Sequence, residues 1–387
     1  MKNNWRKVRF EDCVEIHPKV KLERGGEYPF VMMEAIQPGT KYVSPSGEKQ
    51  LKGGGSKFED RDTLFARITP CLENGKIAQY RGSPAFGSTE FFVFRAKSAI
   101  SDPDYIYYLS TTKTIRSPAE KSMAGASGRQ RADIASIKDL VINFPDLPTQ
   151  RRIASILSAY DDLIENNNRR IKIIEQMAQM IYSEWFVNFR FPGHEKVNMV
   201  DSKLGKIPEK WEVITLGEKV DIAKGKSITR EIIIEGAVPV VAGGLSPAYF
   251  HNKANTKAPV ITISASGANS GYVNIYYEDI WASDCSFIDR NTTKYLYYFY
   301  LLLKNRQNEV TNFQRGAAQP HVYPKDLMRL EVVDIPGEIL DDFEGKISIS
   351  FQMMANLVNM NKILVQTRDL LLPKLIGGEV GREIYDR

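Results

Sequence analysis

At 387 residues, 43% apolar and 26% charged, the chain is long enough for two globular domains with connectors and has the composition of a soluble protein. The net charge of +5 permits nucleic-acid binding without demanding it: residues 1–147 carry 23 Lys and Arg against 18 Asp and Glu, and residues 211–337 carry 13 of each. No apolar run approaches a membrane span, nothing ahead of Trp5 reads as a signal peptide, and Cys13, Cys71 and Cys285 are too scattered for a disulfide framework or zinc site, so a cytoplasmic protein with no membrane role is expected.

In chain order, one plan is written twice. Trp5, Val8, Phe10, Val14, Glu15 and Ile16 open the first half, and Trp211, Ile214, Leu216, Val220, Asp221 and Ile222 open the second at identical spacings. Strand-like runs follow at Thr63 to Ile68 and Pro259 to Ser264. Each leads through a small polar turn (Leu72 to Lys76; Ala265 to Gly271) into a second run at Phe91 to Phe94 or Ser286 to Ile288. Tyrosine-rich segments recur at 104–109 and 294–299. They could stack bases, but their helical spacing favours burial against a sheet. Gly-rich loops at 125–131 and 314–321 then precede a Lys-Asp-Leu element, a last strand (Val141 to Phe144; Leu330 to Val333) and a long helix.

The two helices carry the clearest periodicity. Ile153, Leu157, Tyr160, Ile164, Asn167, Ile171, Ile174, Ala178, Ile181 and Trp185 step by four and three, as do Phe343, Ile347, Ser350, Met354, Leu357, Asn361, Leu364, Arg368, Leu371 and Leu375. Such an a/d seam needs a partner, and one Asn in each is the residue type that fixes register at some cost in stability. Two ordinary amphipathic helices in separate cores are the alternative. The expected fold is α/β (α+β): two repeated domains (1–147, 211–337), each followed by a long helix (148–190, 338–378), the helices pairing as an antiparallel coiled coil with pseudo-twofold symmetry. Residues 191–210, with Pro192, Gly193, Gly205 and Pro208, read as an extended linker, and 379–387 as a tail.

No Walker loop, dinucleotide fingerprint or His-ligand pair is present, and Gly53-Gly-Gly-Ser-Lys57 lacks the phosphate-loop spacing. Glu344-Gly-Lys346 has the acid-x-Lys spacing of some nucleases but sits on the predicted rod, where a solvated helix face is the expectation. No bond chemistry is therefore assigned to the chain. The remaining candidates are polar and loop-borne: Lys41, Lys52, Lys57, Arg67, Lys76, Arg129, Gln130 and Arg131 in the first half, and Lys224, Lys226, Ser227, Arg230, Ser264, Ser266, Asn269, Arg315, Gln319 and His321 in the second. Arg and Lys can neutralise phosphates or pair with guanine, and Asn or Gln can pair with adenine. Taken singly, each reads more readily as a surface or turn residue than as a base contact, and the Gly loops serve equally well as internal turns.

Leu147-Pro-Thr-Gln-Arg-Arg-Ile-Ala-Ser-Ile-Leu157, Met177-Ala-Gln-Met-Ile-Tyr-Ser-Glu-Trp-Phe186, Ser202-Lys-Leu-Gly-Lys-Ile-Pro-Glu-Lys-Trp211 and Arg368-Asp-Leu-Leu-Leu-Pro-Lys-Leu-Ile-Gly-Gly-Glu379 resemble the specificity subunit of type I restriction–modification enzymes, as does Asp62 to Lys76. The second half lacks a close equivalent of the Pro70 to Lys76 turn. The resemblance implies two target-recognition domains, each reading one half of a bipartite, asymmetric double-stranded DNA site. It also implies a helix pair acting as spacer ruler and docking surface for two modification (methyltransferase) subunits. Those subunits would bring S-adenosylmethionine and methylate adenine, and restriction subunits would add ATP- and Mg-dependent translocation and cleavage; this chain would bind no cofactor. A DNA-free scaffold joining two protein-binding modules is the rival, kept open by the neutral second half.

Overall fold

The structure is a computed structural model that describes residues 5–126, 128–316 and 320–378, the side chain of Arg230 excepted. Contacts divide the chain into two units. One runs from the N-terminus through Asn167 and is completed by the chain from Met360 onward; the other is Asn168–Asn359. Both divisions fall inside long helices, Leu147–Tyr182 and Gly337–Ile376, so each unit holds one globular domain and a segment of each helix.

In the first unit a five-stranded sheet has the order Val14–Ile16, Phe91–Ala96, Thr63–Ala66, Ile77–Tyr80, Tyr42–Val43. A second sheet has the order Gly47–Gln50, Glu27–Val31, Ala85–Gly87, Ser56–Phe58. Period-two alternation gives the Thr63–Ala66 strand two buried faces: Leu64 joins a cluster with Val31, Phe58 and Tyr80, while Phe65 joins Phe10, Tyr105 and Ile115. The tyrosine segment is the helix Pro103–Thr111, capped by Asp102, whose carboxylate accepts from the amides of Asp104 (3.0 Å) and Tyr105 (3.1 Å). Tyr105, Tyr107 and Tyr108 are buried, so they form core and not a stacking platform.

The second unit repeats this order. Ala223–Lys224, Cys285–Asp289, Val260–Ser264 and Val273–Tyr276 form one sheet, and Tyr249–His251, Val238–Val241 and Trp281–Ala282 the other. The Trp-led strands also correspond: Arg6–Arg9 pairs with Val141–Phe144, and Val213–Thr215 with Glu331–Val333. The tyrosine helix Leu296–Asn305 has no cap of its own. Glu344 supplies it, accepting from the amides of Tyr297 and Tyr298 at 3.1 Å. Glu344 is thus a largely buried structural cap, where a solvated face was expected.

Within each unit the helix segments run antiparallel. In the first, Ile153 and Leu157 share a core with Leu371 and Leu375, Asp161 pairs with Arg368, and Asn167 Nδ2 donates to Asn361 Oδ1 at 2.8 Å. In the second, Trp185 and Phe186 pack on Phe343 with ring centroids 5.5 and 4.8 Å apart. The seam departs from strict heptads in several places: Asp161 is buried beside a half-buried Tyr160, and two further shifts follow. Ile181 is exposed and Tyr182 buried in its stead, just before a π turn at Ser183–Val187, and Phe351 takes the core position expected of Ser350. A 3.6-residue helix drifts about 20° per heptad against a 3.5 repeat, and these shifts absorb the drift. The expected linker is instead partly ordered: Met199–Ser202 and Gly205–Pro208 form a hairpin, and Phe191 stacks on Trp211 at 5.0 Å.

A buried polar cluster fastens the first domain to its helix segments. Arg368 binds Asp161 and donates to the Gly39 carbonyl at 2.8 Å, while Tyr108 donates to Asp161 at 2.5 Å. With Arg368 and Asp161 side chains only 7% and 4% exposed, solvent screens the pair little. Arg368→Ala, leaving Asp161 buried without its cation, is expected to lower the unfolding free energy by about 3–5 kcal/mol in denaturant melts. A loss below about 1 kcal/mol, the range of exposed pairs, would show that the pair does not hold this unit together.

Candidate nucleic-acid interface

In the first domain three chain segments converge at the end of the main sheet. The polar turn after Thr63–Ala66 receives the Gly-rich loop through Thr69 N to Gln130 O and Gln130 N to Thr69 Oγ1, both 2.9 Å, and through Ala132 N to Arg67 O at 2.8 Å. Arg67 N donates to Glu90 O at 3.0 Å, placing Glu90 at the mouth of Phe91–Ala96. The Glu90 carboxylate then accepts from Arg67 Nε at 3.1 Å and from Arg131 through Nε (2.9 and 3.0 Å) and Nη2 (2.7 Å). Hydrogen bonds from Arg131, more than offsetting burial, hold this carboxyl below its ordinary value.

Beside this centre, His17 packs edge-on against Phe92 at 5.8 Å, and the Arg67 guanidinium lies 5.5 Å from the same ring. Burial, reinforced by Arg67, pulls the His17 pKa below its ordinary value, favouring the neutral imidazole. His17, Lys19, Gly55, Ser56 and Lys57 line an open cleft of about 520 Å³.

The second domain builds the same backbone with other side chains. Ala265 N donates to Asp284 O (3.2 Å) and Val322 N to Ala265 O (2.9 Å), matching the bonds at Arg67 and Ala132. Isolated bridges join His321 to Ser266 and to Arg315, as Arg131 joins Ile68 and Ala124. Asp284, like Glu90, directly precedes its strand, but among the described residues it accepts from the Ser266 hydroxyl and not from arginines. Arg315 is drawn to the buried Asp326, and His321 stacks parallel to Tyr323 at 5.9 Å. Lys224, Lys226 and Ser227 are exposed on a segment whose Gly225 lies so close to the strand loop that a Cβ would come 2.2 Å from Ser283 O.

The expected residues therefore separate. Arg67, Arg131 and Gln130 share one centre, with Arg129 exposed on its loop; Ser266, His321 and Arg315 gather at the other, with Asn269 half-buried in the adjoining turn. Lys52 is exposed. Lys57 and Lys76 are tied to backbone carbonyls, of Leu22 (3.2 Å) and Met33 (3.0 Å). Ser264 is buried, donating to Gly243 O at 2.9 Å. Gln319 and the Arg230 side chain lie outside the described residues. Lys41 departs from its expected role: it is buried, paired with Asp104 (2.8 Å) and bonded to Ser158 of the central helix (2.6 Å). Burial pulls its ammonium below the usual lysine range, partly countered by Asp104. Lys41 is an internal fastener. The residues that sequence reasoning missed, Glu90 and Asp284, had a signal: each is an acid immediately ahead of the second repeated strand.

The chain as a whole is similar to known proteins. The family profile of the type I restriction modification DNA specificity domain matches residues 2–176 and 208–349. The type I restriction enzyme MjaIX specificity subunit of Methanocaldococcus jannaschii is 28% identical over 298 residues, 72% of this chain and 69% of that one. The putative type I specificity subunit S.MpnORF638P of Mycoplasma pneumoniae is 24% identical over 386 residues, 96% of both chains. The solved S subunit of a type I restriction–modification system from M. genitalium shares the fold with a TM-score of 0.54 at 19% identity, covering 97% of this chain and 96% of that one. Two family matches thus fall on the two repeats, each with its own turn, acid and Gly-rich loop. The chain belongs to the type I restriction–modification DNA specificity family and is a DNA-recognition subunit, not itself a catalyst.

Proposed function

We propose that each domain reads one half of a bipartite double-stranded DNA site, and that the helix pair sets the spacer and carries two methyltransferase subunits. The observation that carries this reading is the centre built twice on one backbone plan and lined with different side chains: two arginines on Glu90 in one domain, Ser266 on Asp284 and His321 in the other. Equal scaffolds with unequal polar groups suit an asymmetric site. A DNA-free scaffold would have no need of either centre. Methyl transfer with S-adenosylmethionine, and any ATP- and Mg-dependent cleavage, then belong to partner subunits. No helix among the described residues is long and apolar enough to cross a membrane.

A second stripe supports the docking role. In the Asn168–Asn359 unit Ile173, Met177, Met180, Ile349 and Met353 are exposed, and in the other unit Leu163, Met360, Ile363 and Leu370 are. Every one lies one residue ahead of a seam position, so the stripe has the heptad period and suits an apolar helix from a partner. One such surface per unit fits two partner subunits. Replacing Met177 and Met353 with Glu should weaken methyltransferase association by at least about thirtyfold, the scale of an interface hot spot, while leaving the thermal melt of the chain near its starting value. Full retention of the complex in gel filtration would remove the stripe from the interface.

The spacer reading is tested by deleting one heptad from each helix, which keeps the seam in register. The rod shortens by about 10 Å, equivalent to about three base pairs. Mapped methylation should then show the same two half-sites closer together, or no methylation where the accompanying rotation of the duplex misaligns them. Unchanged spacing with altered half-sites would refute the ruler. Gel shifts with the co-purified methyltransferase partner test DNA binding itself, and failure to retard any duplex would revive the scaffold.

A further inference from the structure

Glu90 does more at the first centre than fill a hydrogen-bonding gap. Its carboxylate is mostly covered and holds two guanidinium groups, one through a single bond and one through a fork. Arg131 is about half exposed and Arg67 about one-third, so both cations face solvent beyond the acid. An ungoverned pair of arginines would bind any phosphate that came near, because phosphate contacts carry affinity without sequence information. Tied to one carboxylate, the pair keeps one net positive charge and a fixed direction for its remaining donors.

We propose that Glu90 is a specificity-determining residue, a positioning acid that restrains Arg67 and Arg131 and so suppresses binding to DNA outside the recognised half-site. This rests on the proposed DNA role of the first centre. The arginines are held by a group whose competitor is the ligand itself: a phosphate oxygen offers the same kind of acceptor as a carboxylate oxygen. A random phosphate must displace Glu90 to gain a second cation, whereas a base edge presented at the right place can take the outward donors without breaking the pair. Asp284 provides an internal contrast. It occupies the same position ahead of the strand but holds a hydroxyl and, among the described residues, no cation, so its removal frees none of them.

The test uses the full chain co-purified with its methyltransferase partner and two duplexes: one carrying the site mapped by methylation, one with that sequence scrambled. Glu90→Gln should bind the scrambled duplex roughly three- to tenfold more tightly at low salt. Its plot of log affinity against log salt should steepen by about one, the mark of one additional phosphate contact, and discrimination between the duplexes should fall. Glu90→Ala should move both readouts the same way, which separates loss of charge from loss of fit. Asp284→Asn removes an equal charge without releasing an arginine and should leave the slope near that of the unaltered protein. Equal steepening in Asp284→Asn would reduce the effect to bulk charge and overturn the proposal. So would unchanged or weaker scrambled binding in Glu90→Gln alongside a loss of site binding in Arg131→Gln, for Glu90 would then only brace the reading arginine. If Arg131→Gln alters neither duplex, the DNA role of this centre has failed, a result distinct from failure of the restraint.

Discussion

The structure depends on one constraint: a helix of 36 residues, Leu147–Tyr182, has an apolar seam it cannot bury alone, and the chain answers with a second helix, Gly337–Ile376, nearly two hundred residues later. Antiparallel pairing follows from where the two helices place their buried polar residues. Asn167 meets Asn361 and Asp161 meets Arg368, so the polar layers satisfy one another only when the segments run in opposite directions. A slip of one heptad would set a charged residue against an aliphatic one, a penalty that makes the register unique. The domains are fastened to this frame locally, by Lys41 to Ser158 in the first and by Glu344 to the tyrosine helix in the second.

What could be read from residues alone divides along the range of the interaction. Helix periodicity, strand alternation and the repeat are local patterns, and they located the long helices, the paired strands and the tyrosine helices. The partners of polar side chains are set by the fold at long range. Glu90 and Arg131 are 41 residues apart, and Lys41 and Ser158 are 117 apart. Nothing in the vicinity of Lys41 distinguishes a buried lysine from an exposed one; its environment comes from Asp104 and the central helix. The seam misplaced Ile181 for a different reason: a strict heptad template ignores helical drift, which the chain corrects at Tyr182 and the following π turn. The hairpin at 199–208 shows the limit of composition, since its Gly and Pro residues also suit a tight turn between short strands.

The repeat also shows where a specificity subunit can change without refolding. In both domains the proposed reading centre is joined by main-chain hydrogen bonds: the turn to the acid-bearing segment, and the loop to the turn. These bonds are indifferent to side-chain identity, which is why Arg67 can stand where the other domain has Ala265, and Arg131 where it has His321. Packing beneath the centre is likewise shared in kind, with Thr63–Ala66 and Val260–Ser264 each covered by a tyrosine helix. At the two centres it is the polar side chains that differ.

That separation has an electrostatic consequence for the whole chain. The first centre presents two arginines on one acid; the second presents a serine on an acid and a histidine stacked on tyrosine, with Arg315 already engaged by Asp326. In the proposed reading, attraction to the DNA backbone at the two centres is concentrated in the first domain, in keeping with its excess of basic residues and the even balance of the second. A cationic centre suits acceptor-rich base edges such as guanine, and an acid-bearing, hydroxyl-bearing centre suits bases that offer an amino donor. Two domains built on one plan would, in the proposed reading, be unequal as readers. The asymmetry of a bipartite site can arise from this difference in side chains, with no difference required in how either domain is built.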